Sequence, residues 1–130
     1  MYRAVTHDIE VSVRPKFVAD RSAPQDAYYF WAYTIEIANK SSQTVQLKTR
    51  HWRITDASGR LQEVKGPGVV GEEPLLKPGE SFEYTSGVPL PTPSGFMAGS
   101  YGMVTAEGEH FDIEIPAFSL DSSYAERTIN

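Results

Sequence analysis

From Val5 to Val13 the chain alternates without a break. Val5, His7, Ile9, Val11 and Val13 stand on one side of a pleat, and Thr6, Asp8, Glu10, Ser12 and Arg14 on the other. A two-residue period predicts a half-buried strand, because successive side chains of an extended backbone point to opposite faces. Pro15 lacks the N–H that a ladder needs, so it ends this strand or lies on a sheet edge. Residues 20–27, DRSAPQDA, are turn formers and predict a loop. The strongest alternation follows, with Tyr29, Trp31, Tyr33, Ile35 and Ile37 opposed by Tyr28, Phe30, Ala32, Thr34 and Glu36. So many aromatic and β-branched residues predict a central strand.

Asn39-Lys40-Ser41-Ser42 is the next turn. Val45 and Leu47 then hold odd inward positions, whereas Trp52 and Ile54 are even. One extra residue must sit between them, which predicts a β-bulge near Thr49–His51. Asp56-Ala57-Ser58-Gly59 has Asp first and Gly last, as a type I turn prefers, and leads into a short strand at Leu61–Val64. Residues 65–79 form a connection of about fifteen residues, long for a compact domain. Val69, Val70, Leu75 and Leu76 make it apolar enough to pack on the body. Beyond Pro78-Gly79, Phe82 and Tyr84 mark another strand, and Pro89, Pro91 and Pro93 predict a rigid extended crossover. Met97, Tyr101 and Met103 define a sixth strand. After the Ala106–Glu109 turn, Phe111, Ile113 and Ile115 point inward and Asp112 and Glu114 outward in a seventh.

Seven short antiparallel strands joined by turn signals predict an all-β, two-sheet sandwich of immunoglobulin or fibronectin type III character, with a barrel as the alternative. Tyr101, early in the sixth strand, is either the tyrosine corner of such folds or an ordinary core aromatic. The expected domain spans residues 1–121, and residues 122–130 form a polar tail expected to fray.

Composition narrows the functional classes. The formal charge of −5 argues against general nucleic-acid binding, and the absence of cysteine removes disulfides, thiolate metal sites and thiol nucleophiles. Arg3, Asp8 and Glu10 interrupt any apolar leader, and no apolar run approaches the ~20 residues that span a bilayer. The expectation is a cytoplasmic protein that does not insert in a membrane and is not itself a channel or pump.

Half of the twelve Lys and Arg residues fall at Lys48, Arg50, Arg53, Arg60, Lys65 and Lys77. Within that stretch Gly66-Pro67-Gly68-Val69-Val70-Gly71 matches G-x-G-x-x-G. In a dinucleotide fold those glycines precede a helix whose N-terminus holds pyrophosphate. Here Glu72-Glu73-Pro74 follows, which is acidic and helix-hostile, and there is no βαβ unit. A nest of backbone N–H groups could still hold an anion, helped by Lys65 and opposed by Glu72 and Glu73. The alternative is a purely structural loop. Arg50, His51 and Arg53 flank Trp52 at the expected bulge, where two guanidinium groups and an imidazole could recognise phosphate or carboxylate. They could equally be the solvated face of a strand. His110, Asp112 and Glu114 share a face of the last strand at spacings of about 6.8 Å, so neighbours could share a hard cation such as Mg²⁺. A solvated acidic face is the other reading. No nucleophile motif or paired-His metal spacing occurs, and no cofactor is predicted.

The segments RHWRITDASGR, VKGPGVVGEEPLLKPGESFEYTSG, PLPTPSGFMAGSYGMV and FDIEIPAFSL closely resemble the ApaG family of small bacterial proteins, over about residues 1–121. The resemblance implies a fibronectin type III-like sandwich, a connection with cobalt tolerance and magnesium efflux, and a gene neighbourhood shared with dinucleoside tetraphosphate hydrolase. It also implies an interaction module, since the same domain occurs in eukaryotic F-box and DNA-polymerase-interacting proteins. Pyrophosphate-type ligands suspected for the family's glycine motif would fall here on Gly66, Gly68 and Gly71. Val88 stands where many relatives have cysteine, so no thiol role carries over. The resulting expectation is a non-enzymatic module that binds an unknown protein partner, with any efflux role indirect. A phosphate-containing metabolite held by the Gly66–Gly71 loop is the alternative, and divalent-cation sensing the third. An exposed edge strand also makes a homodimer plausible.

Overall fold

In the computed structural model, which describes residues 1–124, nine strands account for most of the chain. They are β1 (Tyr2–Thr6), β2 (Ile9–Phe17), β3 (Tyr29–Asn39), β4 (Val45–Asp56), β5 (Leu61–Pro67), β6 (Leu75–Leu76), β7 (Ser81–Leu90), β8 (Gly95–Thr105) and β9 (His110–Leu120). Two antiparallel sheets face each other, one ordered β1-β2-β3-β7 and the other β5-β4-β8-β9, with β6 paired to the start of β4. The sandwich is as expected, and β3 is indeed an interior strand. The count of seven is corrected to nine, for two local reasons.

First, the long N-terminal alternation is a hairpin. His7 and Asp8 both adopt positive φ, 50° and 62°, which closes a two-residue turn between Thr6 and Ile9. The period survives the turn but the facing does not. Val5 lies opposite Glu10, so it shares the outer face and is 59% exposed, not inward as the pattern implied. Second, Leu75 and Leu76 in the long connection form β6 against Val45 and Gln46.

Pro15 lies within β2, beyond the last β1 partner pair at Tyr2 and Val13. The Val18 N–H to Phe30 O bond sets a ladder phase in which position 15 would point its N–H to this open edge, so proline breaks nothing. The expected proline crossover is shorter than 89–93, because Pro89 still pairs with Phe30 in β7. The bulge in β4 is real, and the extra residue is Lys48. A second bulge, opposite Ala98 in β9, accommodates Pro116.

The core lies between the sheets. Ile9, Val11, Val13, Trp31, Ile35 and Ile37 face Leu47, Trp52, Met97, Met103, Ile113, Ile115 and Phe118, all with at most 3% exposure. Tyr33, Trp52 and Phe118 bridge the sheets with ring centroids 5.4–6.0 Å apart, and such pairs add about 1 kcal/mol each beyond their buried area. Tyr101 is not a tyrosine corner. Its hydroxyl meets that of Tyr84 across the sandwich, whereas a corner tyrosine bonds upstream backbone. Residues 122–124 are docked, not frayed: Ser122 Oγ donates to Pro93 O at 2.6 Å, and the Tyr124 ring packs on Phe17 and Tyr29. The rest of the expected tail, 125–130, lies outside the described residues. Among the described residues no helix is long and apolar enough to cross a membrane.

The two sides of the sandwich differ. Where β1 meets β9, side chains close the seam: Glu114 N–H donates to Thr6 Oγ1 at 3.1 Å and Ser119 N–H to the Tyr2 hydroxyl at 3.4 Å. Two edge donors of β9 are thereby satisfied. On the opposite side β5 and β7 are both edge strands, and the sheets part.

Candidate functional site

The bulge at Lys48 puts Arg50 in phase with Trp52 and Ile54, turning a guanidinium toward the interior. A charge there needs polar partners. Arg50 Nη1 donates to the carbonyl oxygens of Pro67 and Gly68, at 2.8 and 2.9 Å. Gly66 lies directly beneath the guanidinium, where a Cβ would come within 3.1 Å of Nη2. Gly68 has φ +59°, and a Cβ on it would meet the Glu72 carbonyl oxygen at 2.3 Å. Val69 and Glu72 exchange backbone bonds of 2.8 and 2.9 Å around a turn in which Val70 (φ 43°) and Gly71 (φ 81°) are both left-handed. Each glycine of the G-x-G-x-x-G match therefore has a conformational or steric use inside the protein. Three N–H donors of the supposed nest are also engaged: Gly68 N–H on Lys48 O, and those of Val69 and Glu72 on each other.

This hairpin tucks Val69 under the open side and leaves Val70 at its rim, 1% and 54% exposed respectively. Between them and β7 lies a cleft of about 370 Å³, lined by Arg50, Trp52 and Val64 from one sheet and Tyr33, Tyr84, Ser86 and Val88 from the other. Burial raises the pKa of Tyr33, helped down only in part by Ser86 and the Arg50 charge. Burial likewise pushes Tyr84 and Tyr101 far up, and each phenol's charge would repel the other's. All three hydroxyls are therefore held protonated, and in the Tyr84–Tyr101 pair one donates and the other accepts.

The other expected residues are on the outer face of the same sheet. Lys65 and His51 line a shallow hollow together with Thr49, Gly66, Ser100, Gly102 and Asp112, and Arg50 reaches it as well. His51 Nε2 lies 2.6 Å from Glu63 Oε2, and that hydrogen bond holds the Glu63 carboxyl below its usual range. Arg53 is exposed beside Glu63 and Ala98 and borders neither depression. The structure thus only partly keeps the expected basic cluster together: Arg50 borders both the cleft and the hollow, His51 and Lys65 only the hollow, and Arg53 neither. His110 borders a different crevice, with His7 and Phe111, from the hollow that Asp112 reaches. Among the described residues no three His, Asp or Glu side chains are grouped to hold a metal ion. Sequence reasoning missed Tyr33, Tyr84 and Ser86 as cleft residues. The one available signal was that Arg50 shares the even-numbered phase of Trp52.

A two-sheet sandwich with one sealed and one open side, the open side holding an arginine among tyrosines, defines a β-domain built to present a cleft. Its family is clear from comparison: residues 19–105 match the ApaG domain model, and the chain belongs to the ApaG-domain family. It is 64% identical over 124 residues to Protein ApaG of Rhodospirillum centenum, covering 95% of each chain. Protein ApaG of Methylocella silvestris is 61% identical over the full length of both chains. Among solved structures, the ApaA protein from Bordetella pertussis superposes with a TM-score of 0.87 at 49% identity, over 92% of this chain and 97% of that one.

Proposed function

We propose that this chain is a non-enzymatic binding module that takes an extended segment of a partner protein along its open side. The observation that supports this is the asymmetry of the sandwich, one seam closed by Thr6 and Tyr2 and the other left open at β5 and β7. The Asn39 N–H to Glu80 O bond sets the β3–β7 ladder phase, in which Ser81, Glu83, Thr85 and Gly87 point their N–H groups outward. Such an edge accepts an added strand through main-chain bonds, while neighbouring pockets select its side chains. Pro67 and Pro89 limit where pairing can extend, a common way of restricting edges.

Thr85→Pro removes one outward donor and keeps the backbone bonds to β3, losing only the exposed hydroxyl contact between Thr34 and Thr85. In affinity capture from a lysate of the source cells, the wild-type chain is expected to retain a specific partner and Thr85→Pro to lose it. A closed-side variant, Tyr2→Phe, should keep it. Equal capture by Thr85→Pro, or no specific partner for well-folded wild type, refutes the reading. A second copy of this chain as the partner would show in sedimentation. Any part in cobalt tolerance or magnesium efflux is then exerted through the partner.

A phosphate-containing metabolite is the second reading, supported by Arg50, His51 and Lys65 lining one hollow beside Gly66. Calorimetry with ATP and diadenosine tetraphosphate, with and without Mg²⁺, tests it. No heat at millimolar ligand ends it.

A further inference from the structure

Among the described residues Arg50 is a cation without a counter-ion: none of their carboxylates lies within ion-pair distance, and of its donors only Nη1 is engaged, by the two loop carbonyls. Nε and Nη2 have no acceptor among the described residues. Exposed cations can rely on water, and several here do, but the half-buried guanidinium has part of its surface withdrawn from solvent and no acidic partner among the described residues. A planar fork with free N–H groups, beside aromatic walls and partly withdrawn from water, is a strong receptor for a planar anion.

We infer that the cleft between the β5 and β7 edges is a binding site for a small carboxylic acid with a flat apolar body, anchored by Arg50. This goes beyond the partner surface proposed above and needs no partner protein. Three observations select the ligand class. There is one cation and no free nest, since the Gly68, Val69 and Glu72 N–H groups are engaged, so a single negative charge is matched and a polyphosphate is not. Trp52, Val69 and Val88 give the body of the ligand apolar surface, while Gln62, Ser86 and the tyrosine hydroxyls supply the polar part of the wall. The volume, about 370 Å³, is at the small end of ligand pockets and suits one ring with a short acid arm. The Tyr33 hydroxyl, kept protonated by burial, can donate to a carboxylate oxygen that Arg50 leaves free.

The test is a ¹⁵N–¹H titration of the whole chain with benzoate and 3-phenylpropionate, and with benzamide and phenyl phosphate as controls. Both acids should give saturable shifts at the amides of Arg50, Trp52, Val69 and Ser86, half-complete at about 1 mM or below. Benzamide, the same ring without the charge, should bind at least tenfold more weakly. Ser86→Phe fills the cleft from β7 without touching Arg50 and should abolish the shifts. Arg50→Gln should weaken both acids at least tenfold. The inference is overturned by no saturation at about 20 mM acid, by benzamide binding as well as benzoate, or by phenyl phosphate binding more tightly than benzoate. Unchanged binding in a folded Ser86→Phe also overturns it. The chemical controls need no variant, so they decide even if a substitution unfolds the chain. Failure of partner capture leaves this titration unaffected, and the reverse holds too.

Discussion

Gly66, Gly68 and Gly71 look equivalent as letters, yet the structure asks different things of each. Gly71 needs only its left-handed backbone, since a Cβ there would meet nothing within 4 Å. Gly71→Ala is expected to cost about 1 kcal/mol. Gly68 combines positive φ with a carbonyl 2.3 Å from the would-be Cβ, so Gly68→Ala should cost about 3 kcal/mol in urea unfolding. A loop kept for ligand alone would show comparable stabilities and a loss confined to binding, and that outcome would refute the structural role. Val70 makes the reverse case. A β-branched residue at φ 43° is strained, and at 54% exposure it gains little by burial. Val70→Asn creates the Asn-Gly pair that such turns prefer and should stabilise the chain by about 1 kcal/mol. A destabilised Val70→Asn would mean that the valine side chain is used at the mouth of the cleft.

At the scale of elements, β6 is only two residues long, and one buried side chain ties it down beside its pairing with β4. Asn39, 1% exposed, donates from Nδ2 to Leu76 O at 2.9 Å and to Gln43 O at 2.7 Å, while its Oδ1 accepts from Ser41 N–H and Oγ. Asn39→Ala leaves the Leu76 carbonyl without its partner in a buried setting, loses the bonds to Ser41 and Gln43, and should cost about 2 kcal/mol. Amide exchange should also accelerate selectively around Leu75–Lys77. If exchange rises evenly over the whole chain, Asn39 is not the local tether. Most strands were legible because one face of each is buried and the period of two survives in the letters, as in Trp31-Tyr33-Ile35-Ile37. Even the β4 bulge showed, one residue from its observed place, because it changed the phase between Leu47 and Trp52. The His7-Asp8 turn did not show, since neither residue is the glycine or asparagine that usually signals left-handed backbone, and alternation ran straight across it. The site was legible as a stretch, Arg50 to Gly71, but not as a place. Tyr33 and Tyr84 join it from the opposite sheet, and no local pattern encodes how two sheets stack.

The whole molecule is organised across the sandwich, and its tyrosines give that organisation a measurable pH signature. Tyr84 and Tyr101 share a buried hydroxyl pair between the sheets, and Tyr33 stands beside them at the cleft. Burial raises all three pKa values in the folded chain, while in the unfolded chain they titrate near their ordinary value of about 10. Above that pH the unfolded chain has released protons that the folded chain still holds, so stability falls as pH rises; below it these groups add no slope. The urea midpoint should show no tyrosine-linked loss up to about pH 9 and then decline steadily past pH 10. Phenolate absorbance should follow the same logic: of the seven tyrosines, these three ionise only as the chain unfolds. Tyr84→Phe alone strands the fully buried Tyr101 hydroxyl and should cost about 2 kcal/mol at neutral pH. Adding Tyr101→Phe removes the stranded group, so the double variant should lose less than the two single losses added together. It should also flatten most of the alkaline decline. Reversible ionisation of all seven phenols in a chain still folded at about pH 11 would show instead that the open side admits water to the centre of the sandwich.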